Sequence, residues 1–323
     1  MQSKILFSQF YALALRKLGI MKILLLLAAL QLAAAQQDDS LLVVSWNVEN
    51  FLDYRTDSTG RHTRSRFYSK CNAIAKTLLL ISDCEGRLPD AVALMEVGDR
   101  FVLERLLSDT PLRKLDYSIV HYDSPDRRGI DCALLYRRGS LNLLRSGPRH
   151  LYDSSGAIMR TRDILLAEFD GLDLLVNHHP SKVGADSERR RAIAMRRMTA
   201  LMDSLESAGH RRILACGDFN DDVWGEGKIS PLASLGRNDI EETSGRNGGG
   251  GMKGTIKYNG AWEKIDGYFA QGSLGVLELV FDHSSLTEED RSFGGTKPHR
   301  SFSGPRWLGG VSDHYPVVLW LSL

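Results

Sequence analysis

The chain has 323 residues, 43% hydrophobic and 25% charged, an ordinary balance for a soluble protein able to bury a sizeable core. Its 41 lysines and arginines nearly cancel its 40 aspartates and glutamates, leaving a formal charge of +1. That excludes a global basic field as the means of attracting nucleic acid, so any such binding must be local.

The first 35 residues stand apart from the core. Met21-Lys22 is followed by an apolar run from Ile23 to Leu30 and by Ala33-Ala34-Ala35. A basic start, a short apolar run and an A-x-A site describe a secretory signal peptide, too short to span a membrane comfortably. Residues 1–20 read as an upstream extension, with Met21 as the true start. The expected mature protein is exported to the periplasm or the medium, with no transmembrane segment. Residues 1–35 carry Lys4, Arg16, Lys17 and Lys22 and no acid, so 37 basic residues then face 40 acidic ones, a net of −3. The cysteines, Cys71, Cys84, Cys132 and Cys216, form no CxxC pair, which argues against a zinc ribbon or thioredoxin-type site. Cys71, Cys132 and Cys216 fall in apolar runs, and Cys71–Cys84 is the nearest pair for a disulfide.

Leu41–Trp46 reads as a buried strand ending at Asn47, with a polar loop to about Arg64. Phe67, Cys71, Ile74, Leu78 and Ile81 recur at helical spacing. Ala91–Met95 is a second strand ending at Glu96. This βαβ unit places Asn47 and Glu96 on one sheet edge. A helix from about Arg100 to Leu107 and strands at Tyr117–Val120 and Ala133–Tyr136 follow. Ile164–Phe169 and Leu172–Val176 are joined by Asp170-Gly171, a hairpin signal. The second of these strands leads into Asn177-His178-His179. Asp186 is placed to cap a helix running to about Ala208, with Gly209 as its stop and Ala194, Met198, Leu201, Leu205 and Ala208 as its buried stripe. Arg189–Arg191 reads mostly as its solvated face. Arg212–Cys216 is a strand that delivers Gly217-Asp218-Phe219-Asn220 to its carboxyl end, the edge where open α/β sheets bind ligands. Gly217 omits a side chain where close approach of a substrate's backbone is expected. Residues 244–254 read as a glycine-rich loop, Ile265–Phe269 as a strand with Asp266 inside it, and about Arg291 to Gly310 as a basic, aromatic loop. Asp313 and His314 open the last strand, Val317–Leu321. They reach the same edge if that strand is antiparallel. No repeat or linker divides residues 40–323, so a single domain is expected.

Asn47, Glu96, His178, Asp218 and Asn220 therefore converge at strand ends. Carboxylates with carboxamides suit a hard divalent cation, Mg²⁺, Mn²⁺ or Ca²⁺, rather than zinc. Histidines beside it suit the handling of phosphate oxygens and protons. Taken singly, Asn47 could equally be a turn residue, Glu96 a capping acid and Asp266 a structural hydrogen bonder.

Six pieces in order make the pattern specific. Ser45-Trp46-Asn47-Val48, Ala93–Val97, Asn177-His178, Gly217–Asn220, Ile265-Asp266 and Ser312-Asp313-His314 resemble the endonuclease/exonuclease/phosphatase superfamily, which includes deoxyribonuclease I, exonuclease III and bacterial sphingomyelinases. The resemblance covers nearly all of the mature chain. It implies an α/β fold, a four-layer, two-sheet sandwich like that of deoxyribonuclease I, and a metal-dependent phosphodiester hydrolase. By position, Glu96 resembles the metal-binding glutamate, completed by Asn47 and Asp313. Asp218 resembles the aspartate that orients or deprotonates the attacking water, and Asn220 its partner at the phosphate or leaving group. His178 matches the histidine that contacts phosphate and serves the leaving oxygen. His314 resembles the invariant histidine, oriented and kept cationic by Asp266. Arg162 resembles a phosphate-contacting arginine. No counterpart appears for the tyrosine that some exonuclease III relatives place near the phosphate, nor for the hydrophobic hairpin of secreted sphingomyelinases, although Trp224 and Trp307 are loop aromatics.

The substrate expected from this reading is nucleic acid, DNA or RNA. Lys297, His299, Arg300 and Arg306 are interleaved with Phe293, Phe302 and Trp307 in a loop that runs directly into Asp313-His314. Cations there can follow a phosphate backbone and aromatic faces can stack on bases. The rival is a small or lipid phosphoester, since fold sharing does not select substrate. A further rival is a binding protein with a degenerate site. No stable protein partner is implied.

Overall fold

The first strand, β1 (Ser40–Phe51), is buried on both faces along most of its length, as its apolar run requires. The computed structural model describes residues 40–221 and 254–323, so the leader, most of the glycine-rich loop and Trp224 lie outside the described residues. β1 runs parallel to β2 (Ala91–Val97), and helix α1 (Arg64–Glu85) lies between them in sequence. Thr63 caps α1 by accepting from the Arg66 N–H, and Gly86 ends it at φ 73°, a left-handed C-cap open to glycine at little cost. Helix α2 (Arg100–Asp109), capped by Asp99, precedes β3 (Tyr117–His121) and β4 (Asp131–Arg137).

A second group follows: β5 (Leu143–Arg149), β6 (Ile164–Phe169), β7 (Leu172–His178), helix α3 (Ser187–Ser207) and β8 (Arg212–Asp218). A short ribbon of β9 (Ile256–Tyr258) and β10 (Ala261–Glu263) leads to β11 (Asp266–Gly272) and β12 (Gly275–Val280). Two small ribbons, β13 (Thr287–Glu289) with β14 (Thr296–Pro298) and β15 (Phe302–Ser303) with β16 (Arg306–Trp307), precede β17 (Val317–Ser322).

The main strands make two sheets, ordered β12-β17-β1-β2-β4-β3 and β11-β8-β7-β6-β5. The period-two alternation along each strand builds the layers. Leu42, Val44 and Trp46 pack outward with α1 and α2 residues such as Ile74 and Leu103. Leu41 and Val43 point inward, where they share a core with Leu174, Val176 and Leu214 of the other sheet. Leu175, Ile213 and Ala215 face away from that core toward Ala194, Met198 and Met202 of α3. The result is helix, sheet, sheet, helix: the four-layer α/β sandwich. Each fully buried Leu, Ile, Val or Phe contributes roughly 1.5–3 kcal/mol through removal from water. Residues Ser40–Leu323 form one compact unit. No helix among the described residues is long and apolar enough to cross a membrane.

Several expectations shift. Asp186 occupies the N-cap position of α3 but its side chain makes no capping bond, because its backbone is left-handed at φ 59°. On that helix Met202 is buried, while Leu201 is half-buried and Ala208 exposed. Asp266 begins β11 rather than lying inside it. The four cysteines are free thiols. The basic loop holds the β15–β16 ribbon and β14, which pairs with β13 just before it, and β5 and β12 are additional edge strands.

Candidate active site

Topology brings the polar strand ends together. β1 is parallel to β2 and β7 to β8, so their carboxyl ends deliver Asn47, Glu96, His178 and Asp218. β17 and β11 run antiparallel to those partners, so His314 and Asp266 arrive with their amino ends. In register, His178 and Asp266 both flank Asp218. Gly217 sits between Asn177 and Gly267 at φ 144°, and a Cβ there would stand 1.9 Å from the Asn177 carbonyl oxygen. Its glycine is thus required by the neighbouring strand's backbone, not by a substrate's approach.

Asp218 is the hub. Its Oδ2 accepts from Asn47 Nδ2 at 2.9 Å, a bond that links the two sheets, and its Oδ1 accepts from the Asn220 N–H at 2.9 Å. His178 Nε2 lies 3.5 Å and His314 Nε2 4.0 Å from Oδ2. Burial first, then the nearby Asp266, pushes the Asp218 carboxyl up to about 7, against the opposing pull of His314, Asn47 and Asn220.

The two histidines carry opposite charge states. His314 Nδ1–H donates to Asp266 Oδ2 at 2.7 Å. Burial alone would lower its pKa, but Asp266, Asp218 and Asp313 outweigh burial and hold it well above the usual value. Burial beside Arg162, Arg128 and His314 instead keeps His178 neutral, its pKa well below the usual value. Thr255 Oγ1 donates to Asp266 Oδ2 at 2.6 Å, and Trp46 Nε1 donates to the His314 carbonyl at 3.0 Å. Ser312 Oγ donates to the Asn47 carbonyl at 2.6 Å and accepts from the His314 N–H at 3.0 Å, which accounts for serine in the Ser-Asp-His run.

Glu96 sits where β2 breaks register, in a left-handed backbone at φ 62°, a bulge that re-aims its side chain. Its Oε2 accepts from the Asn50 N–H at 2.8 Å, while Oε1 meets, among the described residues, the Arg128 guanidinium alone, at 3.5 Å. Glu96 and Asn47 offer oxygen donors to a cation, and Glu96 Oε1 has capacity left for one, so these residues fit a hard divalent ion. Asp218, Asp266 and His314 place possible ligand atoms within 4.8 Å of one another. A protonated imidazole has no lone pair to give, so that triad suits proton handling better than metal binding. Asp313 Oδ2 is held at 2.9 Å by Arg300 NH2 and must share that pairing to serve a metal.

The remaining residues fall at different distances from the hub. Arg162 is buried, donating to the His179 carbonyl and to Asp126 Oδ2 at 3.2 Å. Asn220 Nδ2 donates to the same His179 carbonyl at 3.1 Å. Arg300 also lies 3.6 Å from Glu49 Oε1. Arg306 is exposed on the β15–β16 ribbon and contacts none of these groups among the described residues. Phe302 is buried and meets Trp307 edge-on at 5.0 Å between centroids, so this aromatic is occupied in packing.

Sequence reasoning missed Lys70. Its ammonium is buried in α1, donating to the Glu49 carbonyl and, at 2.7 Å, to Ser301 Oγ. Glu49 Oε2 accepts from the Ser301 N–H at 2.6 Å, tying the basic loop to β1. A lysine three residues after Phe67 and four before Ile74 stands on the apolar face of the helix, and that was a legible signal.

A profile of the endonuclease/exonuclease/phosphatase family matches residues 43–323. The chain belongs to this family. It is a superfamily of metal-dependent phosphodiesterases and phosphatases. No curated protein sequence matches the chain. Among solved structures, SmcL superposes with a TM-score of 0.58 at 16% identity, covering 87% of this chain and 98% of that one. The mannosyl-6-phosphatase of Bacteroides thetaiotaomicron gives 0.56 at 17%, covering 88% and 100%. The human nocturnin catalytic domain with a bound sulfate anion gives 0.54 at 17%, covering 88% and 94%. At these identities the likeness establishes the deoxyribonuclease I-like fold of the family and leaves substrate open.

Proposed function

We propose that this family member is an exported phosphodiesterase, dependent on a divalent metal, that hydrolyses a nucleic-acid strand by attack of water on phosphorus. The observation that carries the reading is Asp218: a buried carboxyl held near neutrality, within 4.0 Å of one neutral and one cationic histidine. A base poised near the working pH combines the right protonation state with driving force for proton transfer. In this reading Asp218 accepts the proton of the attacking water. Asn47 Nδ2 and the Asn220 N–H fix its orientation. His178, neutral, donates an N–H to a phosphate oxygen. His314, kept cationic by Asp266, stabilises negative charge as it develops on the phosphoryl group and gives its Nε2 proton to the leaving oxygen as the P–O bond breaks, the proton held by Asp218 then restoring it. Asn220 and Arg162 line the phosphate's surroundings.

Glu96 and Asn47 would hold the cation, with Asp313 joining where Arg300 yields. Their oxygen donors suit Mg²⁺, Mn²⁺ or Ca²⁺. The bound ion supplies Lewis-acid neutralisation of phosphoryl charge.

A second reading, a small or lipid phosphoester as substrate, is favoured by the state of the basic loop. Phe302 is spent on packing and Arg300 on Asp313 and Glu49, so neither is free for a nucleic-acid strand. One experiment separates the readings. The protein beginning at Gln36 is incubated with plasmid DNA, RNA, sphingomyelin and bis(p-nitrophenyl) phosphate, with Mg²⁺ or with EDTA. Metal-dependent cleavage of a polynucleotide is expected. Turnover of sphingomyelin alone would move the substrate to lipid, and no turnover at all would sink the hydrolase reading. Export belongs to the same proposal, and secreted material should begin at Gln36 on N-terminal sequencing.

A further inference from the structure

A second basic feature lies beyond the reacting groups. An open surface cavity of about 660 Å³ is lined by Arg127, Arg160 and Arg189, all exposed, and by half-buried Arg190, with Asp153 and Asp186 as its acids. Four guanidiniums against two carboxylates leave an excess of two positive charges. Asp153 is already occupied, its Oδ1 accepting from Ser155 N at 2.8 Å, Ser155 Oγ at 2.6 Å and Ala157 N at 3.1 Å. Arg189 donates to Ser154 Oγ at 2.8 Å. The side chains of Arg127, Arg160 and Arg190 have no ion pair or hydrogen bond among the described residues. Unpaired surface arginines are common, but here they converge on one concavity. The amino end of α3, left without a side-chain cap by Asp186, opens onto the same space and adds partial positive charge. Arg189 is exposed, as a solvated face requires, and Arg190 is half-buried, and both line this concavity. Arg191 turns elsewhere, to Asp221 Oδ2 at 3.4 Å and the Ser181 carbonyl at 3.3 Å.

The cavity is connected to the reacting groups through the chain itself. Arg127 adjoins Arg128, which lies 3.5 Å from Glu96. Arg160 stands two residues before Arg162, which donates to the His179 carbonyl. With each Cα step at about 3.8 Å, Arg127 is one step from Arg128 and Arg160 two steps from Arg162.

We propose that this cavity is a second phosphate subsite, holding a phosphate of the substrate other than the one under attack. This rests on the phosphoester-hydrolase reading and extends it: the substrate carries at least two phosphates. The flanking phosphate of a nucleic-acid strand and the second phosphate of a small bisphosphorylated molecule share this chemistry. Guanidiniums suit either because their planar forks match phosphate oxygens in pairs.

The test uses the variant Arg160→Ala with Arg190→Ala, whose thermal midpoint should match that of wild type because neither side chain holds the fold together. Fluorescein-labelled oligothymidylate is titrated in EDTA over a range of salt, and inorganic pyrophosphate is titrated separately. Hydrolysis of bis(p-nitrophenyl) phosphate with Mg²⁺ is followed in parallel. The double variant should bind the oligonucleotide roughly tenfold more weakly at low salt. The slope of log Kd against log salt should fall by about 0.7, the loss of one single-strand phosphate contact. The kcat/KM for the small diester, which carries no second phosphate, should not change. Loss of pyrophosphate affinity alone would keep the subsite and assign it to a small bisphosphorylated substrate. Unchanged affinity for both probes overturns the proposal. Wild-type protein inert toward plasmid DNA, RNA, sphingomyelin and the small diester alike would refute the hydrolase reading instead, and the binding titrations would still decide the cavity.

Discussion

Asp218 Oδ2 and His314 Nε2 sit 4.0 Å apart and both groups are drawn toward protonation, which makes the carboxyl neutral and the imidazole cationic. Asp218→Ala and His314→Ala should each reduce kcat by about 10²-fold or more while far-UV circular dichroism stays unchanged. Near-wild-type turnover in a folded Asp218→Ala protein would refute the mechanism. The profile of kcat/KM should fall as pH drops through about 7, because Asp218 takes up the proton that disables it as a base. An acid limb near 4 instead would mean that the essential base is an ordinary exposed carboxylate. Arg300→Ala is expected to reduce activity on a polynucleotide and on bis(p-nitrophenyl) phosphate alike, since Arg300 pairs with Asp313 and Glu49. A loss confined to the polynucleotide would return Arg300 to the strand-gripping role expected from the sequence.

Elements impose their own demands on these residues. Gly217→Ala places a methyl 1.9 Å from the Asn177 carbonyl at a φ of 144°, so the β7–β8 ladder must part or the chain must twist. The expected loss is about 3 kcal/mol or more in urea unfolding, the sum of steric and backbone strain. A loss under about 0.5 kcal/mol would show that the ladder yields freely. The Glu49–Lys70–Ser301 link has a pH signature. Burial, with Asp313, raises the Glu49 carboxyl from 4.5 to about 7, so between those values the folded chain holds the extra proton. Stability from this group is full below 4.5 and declines as pH rises to about 7. Burial lowers Lys70 from 10.5 to about 8, so its contribution rises again between about 8 and 10.5. Asp218 acts in the same sense as Glu49. Glu49→Gln should therefore flatten the decline in thermal midpoint below pH 7 by on the order of 2 kcal/mol, measured calorimetrically in EDTA. An unchanged profile would mean Glu49 is ionised in the folded chain throughout. The α1 stripe was legible because its period is uninterrupted, and the hairpin of β6 and β7 because Asp170-Gly171 marks its turn. β5 and β12 were not legible, since edge strands with one wet face lose the continuous apolar run of β1. The Glu96 bulge left no local trace either, for a single extra residue changes no periodicity.

Across the whole molecule, the ordered motifs disclosed the two-sheet sandwich and the polar edge, but not the partners that tune it. Those partners, Thr255, Ser301 and Arg128, come from loops whose meeting with the edge depends on tertiary packing. EDTA should abolish hydrolysis and Mg²⁺ or Mn²⁺ restore it, and Glu96→Gln should raise the metal concentration needed for half-maximal rate about tenfold or more. Full activity in EDTA would remove the metal from the scheme. The bond from Asn47 to Asp218 has a mechanical consequence. Asn47, Glu96 and His314 ride on one sheet, and His178, Asp218 and Asp266 on the other, so neither sheet owns the whole of the proposed reaction centre. The centre is a gauge of how the sheets are aligned, and the inner core of Leu174, Val176 and Leu214 is the spacer that sets its reading. Leu174→Ala, far from any phosphate, should cost about 2–5 kcal/mol and also dull the enzyme well below its melting temperature. Catalysis here would register a slip between two layers before any spectroscopic probe of unfolding does.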